Sequence, residues 1–571
     1  MTCCSLRSLL IVAAALVSVV HGQPPTRPNI LLILADDLGY SDLGCYGSEI
    51  RTPNLDSLAQ GGLRYTQMYN CTRCCPSRAS LLTGLYPHQA GIGAMTGDQG
   101  QLGYRGSLQP NCVTFAQVLK TAGYRTAMVG KWHVGDNILP IERGFENFYG
   151  FTRGYGVNSW YPKMMVRLPE GKTQRKYAPG EYFATDALTD HALDFLGEMR
   201  DGKSPWLMYV AYQAPHFPLQ ARPEDIGQYW RQYEVGWDRV REGRITRQKQ
   251  LGLLPESPTL TPRSPIPLPS AAQRVGSATT DGNNPAWESL PEARRSDLAH
   301  RMAIYSAMVT VMDRNIGRLI DDIKSRGELE NTLIVFLSDN GACAEWEPFG
   351  FDLQPIAGGG VQQGVGINIG TQGASNYLWK TKTMGIMSSA DGMISYGSGW
   401  ANASNTPWRL YKHACHEGGI SGPFIAHWPA RIKNGGQIRQ QVGHLMDLMP
   451  TFVDVAGATY PAEVAGQKID PPEGKSIVPS FDDQPIGHET LAWEHEGNAA
   501  IRAGDWKLVR HGQDPWELYN IAEDRTELND LAGQNKERVQ ALAAQWQTWA
   551  ERTHVFPKPG GGNAGKQKKA K

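Results

Sequence analysis

Cysteine is scarce: nine residues in a chain of 571, far below the density of a disulfide scaffold. Cys3 and Cys4 lie in an N-terminal leader, so seven remain for the folded chain, and an odd number leaves at least one thiol unpaired. Cys71-x-x-Cys74 has no second Cys-x-x-Cys or His pair to complete four ligands, which disfavours structural zinc. An excess of charge of either sign is also missing, Lys plus Arg and Asp plus Glu both counting 56. Nothing global steers the chain toward nucleic acid or an anionic membrane. After the leader no apolar run reaches the ~20 residues of a membrane helix, so no stable membrane association is expected. No internal repeat is evident.

The leader has Arg7 before the apolar run Leu9–Val20, then small and polar residues up to Gly22. This is the pattern of a signal peptide over residues 1–22, and it predicts a soluble, exported product. At the other end, residues 558–571 are rich in Gly and Lys and nearly free of apolar side chains, the composition of a disordered basic tail.

What the chain does contain is a set of short apolar runs that each lead into chargeable residues. Ile30–Ala35 ends at Asp36-Asp37, Thr126–Val129 at Lys131 and His133, Leu207–Ala211 at His216, and Leu333–Leu337 at Asp339-Asn340. Continuous apolar runs of this length read as strands buried on both faces of a parallel sheet. Helical patterns lie between them, as in "TFAQVLKTAG" and "YFATDALTDHALDFLGEMR". The longest has Ser296 as its N-cap and Gly327 at its end. The fold class is therefore α/β, a large, mostly parallel sheet sandwiched by helices, over residues 23–444. Residues 445–557 then give one helix in "HLMDLMPTFVDVAG", short alternating strands and an amphipathic helix near 536–550. They read as a smaller C-terminal α+β domain with a short antiparallel sheet. Two stretches read as inserted loops, the Pro-, Arg- and Ser-rich 234–291 and the Gly-rich 357–399. Near a site mouth such loops set substrate choice.

Ligands of such sheets bind outside the carboxyl ends of the strands, where these runs place their polar ends. Asp36, Asp37, Asp339 and Asn340 offer three carboxylates and an amide oxygen, a donor set for a hard divalent cation. Either pair alone is as readily an N-cap or an ordinary turn. In "NCTRCCPSRASLLTG", Pro76 fits the first position of a helix and puts Cys74 at its N-terminal end, where anions bind and thiols acidify. Arg78 adds a fork for a tetrahedral oxyanion, with a buried Cys beside a structural Arg as the alternative. Lys131, His133, His216 and Lys412 follow strands or sit in Gly- and Pro-punctuated loops. Grouped around a cation they would neutralise an anionic ester and protonate its leaving group; singly, each is as well a solvated loop residue.

"CCPSR" followed by "LLTG" resembles the signature Cys-x-Pro-Ser-Arg-x-x-x-Leu-Thr-Gly of the type I, formylglycine-dependent sulfatases, arylsulfatase-like members of the alkaline phosphatase superfamily. "NILLILADDLGYSDLGCYG", "VGKWHVG", "APHFP", "FLSDNGA" and "HEGGISGPFIAHWP" are similar to further blocks of that family, in its order. The resemblance implies an alkaline-phosphatase-like fold and hydrolysis of sulfate monoesters. Phosphodiester or phosphonate monoester hydrolysis and non-catalytic glycan binding are the alternatives on the same scaffold. It implies that Cys74 is converted to formylglycine (3-oxoalanine) by the formylglycine-generating enzyme. Asp36, Asp37, Asp339, Asn340 and the hydrated aldehyde at Cys74 would then hold one divalent cation, Ca2+ or alternatively Mg2+. Arg78 would steady the hydrate, Lys131 and Lys412 would contact the sulfate oxygens, His133 would act on the hydrate, and His216 with Lys412 would protonate the leaving oxygen. One hydroxyl of the geminal pair would attack sulfur, and deprotonating the other would expel sulfate.

The same resemblance leaves Cys71 and Cys75 structural, with disulfides open to them, and sets the sequon Asn70-Cys71-Thr72 too close to the site for a glycan. Cys415 and His416 would shape the pocket. Ser421 is a departure, since an Arg often follows Glu-Gly-Gly-Ile in the family. The implied substrates are sulfated small molecules or carbohydrates, and the implied locations are periplasmic, extracellular or lysosomal.

Overall fold

Ile30–Ala35 is apolar throughout because both faces of its strand, β1 (Asn29–Ala35), are covered. Leu31, Ile33 and Ala35 join one hydrophobic core, and Ile30, Leu32 and Leu34 join another on the opposite face. The computed structural model describes residues 27–559 except 155, 173–174, 201, 256–257, 267–281, 346–347, 351 and 354–392. The expected signal peptide 1–22, nearly all of the tail 558–571, most of the 357–399 loop and part of the 234–291 loop lie outside the described residues.

Eight further strands complete the main sheet: β2 (Leu63–Tyr65), β3 (Arg125–Lys131), β4 (Asn147–Phe151), β5 (Val166–Leu168), β6 (Trp206–Ala211), β7 (Thr332–Ser338), β8 (Phe424–His427) and β9 (Gln437–Arg439). Their order is β9-β2-β8-β7-β1-β6-β3-β4-β5. The central run β7-β1-β6-β3-β4 is parallel, while β8 and β5 run against it. Register makes the carboxyl ends finish level: Ala35 lies opposite Ser338, Leu34 opposite Ala211, and Ala211 opposite Gly130. Gly130 adopts φ 103°, and a Cβ there would stand 1.8 Å from the Ala211 carbonyl oxygen. Only glycine lets β3 close on β6 at that level.

Helices cover both faces. They include α1 (Cys74–Thr83), α2 (Phe115–Thr121), α3 (Ala184–Met199), α4 (Gly236–Gln250), α5 (Glu292–Ser325), α6 (Leu448–Ala456) and α7 (Lys536–Arg552). A capping box starts α2, where Gln117 N–H donates to Thr114 Oγ1 and Thr114 N–H donates to Gln117 Oε1. Three expectations need correction. Pro76 is the third residue of α1, not the first, and stays within the turn whose N–H groups lack helical partners. α5 begins at Glu292 after Pro291, four residues before Ser296, because Glu-Ala-Arg-Arg is strongly helix-forming and Glu292 suits the positive helix end.

The third correction is α4, a helix inside a segment that reads as a loop. Its buried residues include Arg241, Arg244 and Gln248, so its inward face carries no plain apolar period. Arg244 is wholly buried and paired, Nη1 with Asp42 Oδ1 at 2.6 Å and Nη2 with Glu49 Oε1 at 2.8 Å.

After residue 445 the chain divides between two cores. Leu448, Met449 and Phe452 of α6 join the core on the main sheet's second face with Leu32, and Phe452 meets Phe115 of α2 edge-on at 5.4 Å. The four strands β10 (Thr490–His495), β11 (Asn498–Ala503), β12 (Trp506–Arg510) and β13 (Glu517–Asn520) form an antiparallel meander. Leu542, Trp546 and Trp549 of α7 join its core, together with Tyr69, Tyr86, Cys415 and Ile420 from the larger part. No helix among the described residues is long and apolar enough to cross a membrane. Cys45, Cys71, Cys74, Cys75, Cys112, Cys343 and Cys415 are all buried free thiols, so among the described residues no disulfide joins Cys71 or Cys75.

A buried ion network fastens the meander. Lys507 Nζ lies 2.9 Å from Glu417 Oε1 and 2.8 Å from Glu527 Oε1, with all three side chains shut off from solvent. Lys507→Ala leaves two buried carboxylates without that cation and is expected to cost about 3–5 kcal/mol. Urea unfolding measures it, and an unchanged midpoint would refute the network's structural role.

Candidate active site

Residues that follow four level strand ends converge. Asp36 and Asp37 follow β1, Lys131 ends β3 with His133 just beyond, His216 follows β6, and Asp339-Asn340 follow β7. Cys74 opens α1, whose ten residues are all buried, and Lys412 comes from the segment before β8. Every residue singled out from the sequence, Asp36, Asp37, Cys74, Arg78, Lys131, His133, His216, Asp339, Asn340 and Lys412, is buried.

Arg78 Nη2 lies 2.8 Å from Asp339 Oδ2 and 3.4 Å from Asp36 Oδ2, while Nη1 donates to the Lys131 carbonyl at 2.9 Å. Lys131 Nζ donates to Asp36 Oδ2 at 2.6 Å. Asn340 Nδ2 donates to Asp37 Oδ1 at 2.7 Å, and Lys412 Nζ donates to Asp37 Oδ2 at 3.1 Å. His216 Nε2 lies 3.5 Å from Asp37 Oδ2. Asp37, His133, Thr72, Leu410 and His413 are in the left-handed region, five of the eleven non-glycine residues with positive φ among those described. Such strain gathers where surrounding contacts hold side chains to a fixed aim.

The electrostatics follow from burial and charge. Burial alone would raise Asp36, but Lys131, His216 and Arg78 outweigh it and hold the carboxyl below its ordinary value. Asp339 goes the other way, raised by burial and by Asp36 despite Arg78. Burial would lower Lys412, yet Asp37, Cys343 and Glu345 keep its ammonium protonated. Burial, reinforced by Lys131 and opposed by Cys74, holds His133 below the usual imidazole range and so neutral. Cys74 is acidified, first by its hydrogen bond with Cys75 and then by Lys131 and His133, which together overcome burial.

Of the candidate cation ligands, two side-chain oxygens, Asp36 Oδ1 and Asn340 Oδ1, are buried without a hydrogen-bond partner among the described residues. Asn340 Nδ2 is already committed to Asp37 and the Gly341 carbonyl, which fixes the amide's orientation. Orphaned oxygens within a carboxylate-rich set fit a hard divalent cation.

The structure adds residues that the sequence did not single out. Glu345 Oε1 lies 3.4 Å from Lys412 Nζ and 3.3 Å from His413 Nε2. His413 Nδ1 meets Glu496 Oε2 at 2.8 Å, and Glu496 Oε1 meets Arg73 Nη1 at 2.5 Å. Glu496 is the turn between β10 and β11, so the meander touches the residues preceding Cys74 and following Lys412. His416 and Cys415 do not shape the pocket. His416 Nε2 turns to Glu517 at 3.1 Å, and Cys415 packs in the meander's core. Asn70 is buried, its carbonyl accepting from Trp493 Nε1, which agrees with a sequon that takes no glycan.

Ser421 finds its missing cation across the domain contact. Arg525 donates from Nη2 to Ser421 Oγ and from Nε to Glu417 Oε2, both at 2.8 Å, with its guanidinium over the Trp408 ring. Arg525→Ala is expected to cost about 1.5–3 kcal/mol. Adding Ser421→Arg should recover part of it, and denaturant unfolding of the two variants provides the check.

Comparison with known proteins agrees with this geometry. The Sulfatase family profile matches residues 28–458, and a profile described as N-sulphoglucosamine sulphohydrolase, C-terminal, matches residues 408–552. An uncharacterized sulfatase of Schizosaccharomyces pombe is 32% identical over 93% of this chain and 95% of its own. An arylsulfatase of Klebsiella aerogenes is 31% identical over 81% of this chain and 95% of its own. The crystal structure of Ps i-CgsB in complex with k-i-k-neocarrahexaose superposes with a TM-score of 0.61 at 25% identity, covering 92% of this chain and 93% of that one. A chain three quarters of which matches the family profile, and whose strand ends gather this cluster, belongs to the sulfatase family, sulfuric ester hydrolases of the alkaline-phosphatase-like fold.

Proposed function

We propose that the protein is exported by the leader at residues 1–22 and hydrolyses sulfate monoesters through a formylglycine at position 74. In this reading the formylglycine-generating enzyme acts on Cys74, and one divalent cation, Ca2+ or alternatively Mg2+, is held by Asp36, Asp37, Asp339, Asn340 and the modified residue 74. The observation that carries it is the pair of orphaned buried oxygens, Asp36 Oδ1 and Asn340 Oδ1, in a cluster that also holds Cys74. When bound, the cation would neutralise charge on the ester and on the attacking oxygen. The modification would supply two hydroxyls on one carbon, which a plain Ser or Cys lacks.

The chain's own residues do the rest. His133, neutral and with a ring nitrogen within 4.8 Å of the Cys74 sulfur, accepts a proton from residue 74. Arg78 ties Asp339 to the Lys131 backbone and so fixes the floor beneath residue 74. Lys131 and Lys412 hold their ammonium groups toward the sulfate oxygens, each anchored on an aspartate. Lys412 remains charged and His216 shares Asp37 with it, so the two stand together to protonate the departing oxygen. Burial of the whole set keeps water from dispersing these fields.

For the substrate, we favour a sulfated carbohydrate. Its support is the likeness to Ps i-CgsB, whose crystal structure holds k-i-k-neocarrahexaose. A polar rim of Arg73, His413 and Glu496 also lies beside the site, with Glu496 44% exposed to solvent.

Peptide mass across Cys74, measured on exported protein coexpressed with the formylglycine-generating enzyme, is expected to show an aldehyde in place of the thiol. An intact thiol would overturn the mechanism. Saturating Ca2+ is expected to stabilise the chelator-stripped protein, by about 2.7 kcal/mol at a hundredfold excess over Kd. Thermal unfolding reads the effect, and Asp339→Ala should abolish it.

A further inference from the structure

Cys75 occupies the variable position of its motif and has no part in the scheme above. Its Sγ, the Cys74 Sγ and a ring nitrogen of His133 lie within 4.8 Å of one another, and all three residues are buried. His133 Nδ1, though buried, has no hydrogen-bond partner. A second group, His413, His495 and Glu496, is equally close-set. There, however, Arg73 Nη1 already stands 2.5 Å from Glu496 and 3.3 Å from His413 Nδ1, where a cation would have to enter. Among the described residues no Lys or Arg is hydrogen-bonded to the sulfurs of Cys74 and Cys75, and the nearby Lys131 ammonium is engaged by Asp36 at 2.6 Å.

We propose that the chain as translated, with Cys74 still a thiol, carries a soft-metal site made by Cys74, Cys75 and His133, suited to a d10 ion such as Zn2+ or Cd2+. Two thiolates and an imidazole with a fourth position open are a familiar donor set for such ions. At Zn–S ≈ 2.3 Å and Zn–N ≈ 2.0 Å, donor atoms ride roughly 3.4–3.8 Å apart. The three donors lie within 4.8 Å of one another, so a shift of under about 1.5 Å brings them to that spacing. Two thiolates balance a divalent charge, and any proton still on either sulfur leaves on binding. Softness separates this site from its neighbour, because Asp36, Asp37, Asp339 and Asn340 present only oxygens, which hard cations prefer. A Cys74 sulfur bound to metal is withheld from oxidation, so occupancy and conversion exclude each other. The site depends on Cys75, and a residue other than Cys, His or an acid at that position would remove it.

The test uses full-length protein made without the formylglycine-generating enzyme, kept reduced, saturated with Ca2+ and titrated with Cd2+. The ultraviolet thiolate-to-cadmium band should saturate at one equivalent with the intensity of two thiolates. Cys75→Ala and Cys75→Ser should each halve the band and weaken binding at least ~10-fold, and His133→Ala should weaken it similarly. Cys71→Ala and Cys343→Ala should titrate like the wild type. No band at one equivalent, or a band unchanged in a Cys75 variant that melts like the wild type, overturns the proposal. Failure here leaves the conversion of Cys74 standing, and failure of that conversion leaves this thiol pair to be titrated.

Discussion

Charge balance in a buried volume is the constraint on which the rest of this structure depends. Three aspartates, Asp36, Asp37 and Asp339, lie out of reach of water beside Arg78, Lys131 and Lys412. Each ion removed from water costs several kcal/mol unless opposite charge and hydrogen bonds repay it at once. The pairing is therefore dense, and it is incomplete in one informative way. Cations satisfy Asp36 Oδ2 and the Asp37 carboxylate, whereas Asp36 Oδ1 and Asn340 Oδ1 are left bare. A folded chain retains that imbalance where function rather than stability has set the composition.

The sheet makes the balance possible. Strands β7, β1, β6 and β3 finish level because their registers are fixed by side chains buried on both faces, where a slip of one residue would exchange the two cores. Gly130 permits the last step of that alignment at the β3–β6 contact. Beyond the strand ends the backbone is held in the left-handed region at Asp37, His133 and His413. Rigid strands followed by strained, fully packed connections give side chains one direction to point.

The parts of this arrangement that were legible in the sequence were those coded locally. An apolar run that stops at Asp-Asp or Asp-Asn states both a strand and its polar end within eight residues, and the Cys-x-Pro-Ser-Arg motif is likewise contiguous. α4 was hidden because its inward side chains are Arg241, Arg244 and Gln248: Arg244 finds Asp42 and Glu49 202 and 195 residues away in the chain, and Gln248 donates to the Thr406 carbonyl 158 residues away. Glu345, Arg73, His413 and Glu496 were hidden for the same reason: each is an ordinary polar residue until folding brings the β10–β11 turn against the segments around Cys74 and Lys412. The Ser421 departure was visible, but its remedy, Arg525, sits 104 residues further on, past the last strand of the meander. His416 misled because adjacency in sequence to Lys412 does not survive the turn at His413, which has φ 81°.

One consequence concerns timing. All ten residues of α1 are buried, and the turn at Glu496 is clamped to Arg73, the residue just before Cys74. That turn lies some four hundred residues downstream, so a chain emerging from its N-terminus presents Cys74 long before the clamp exists. In the folded chain the Cys74 sulfur is buried, so that interval is when it is met in the open. Folding of the last hundred residues is thus also the closing of a door on the Cys74 side chain.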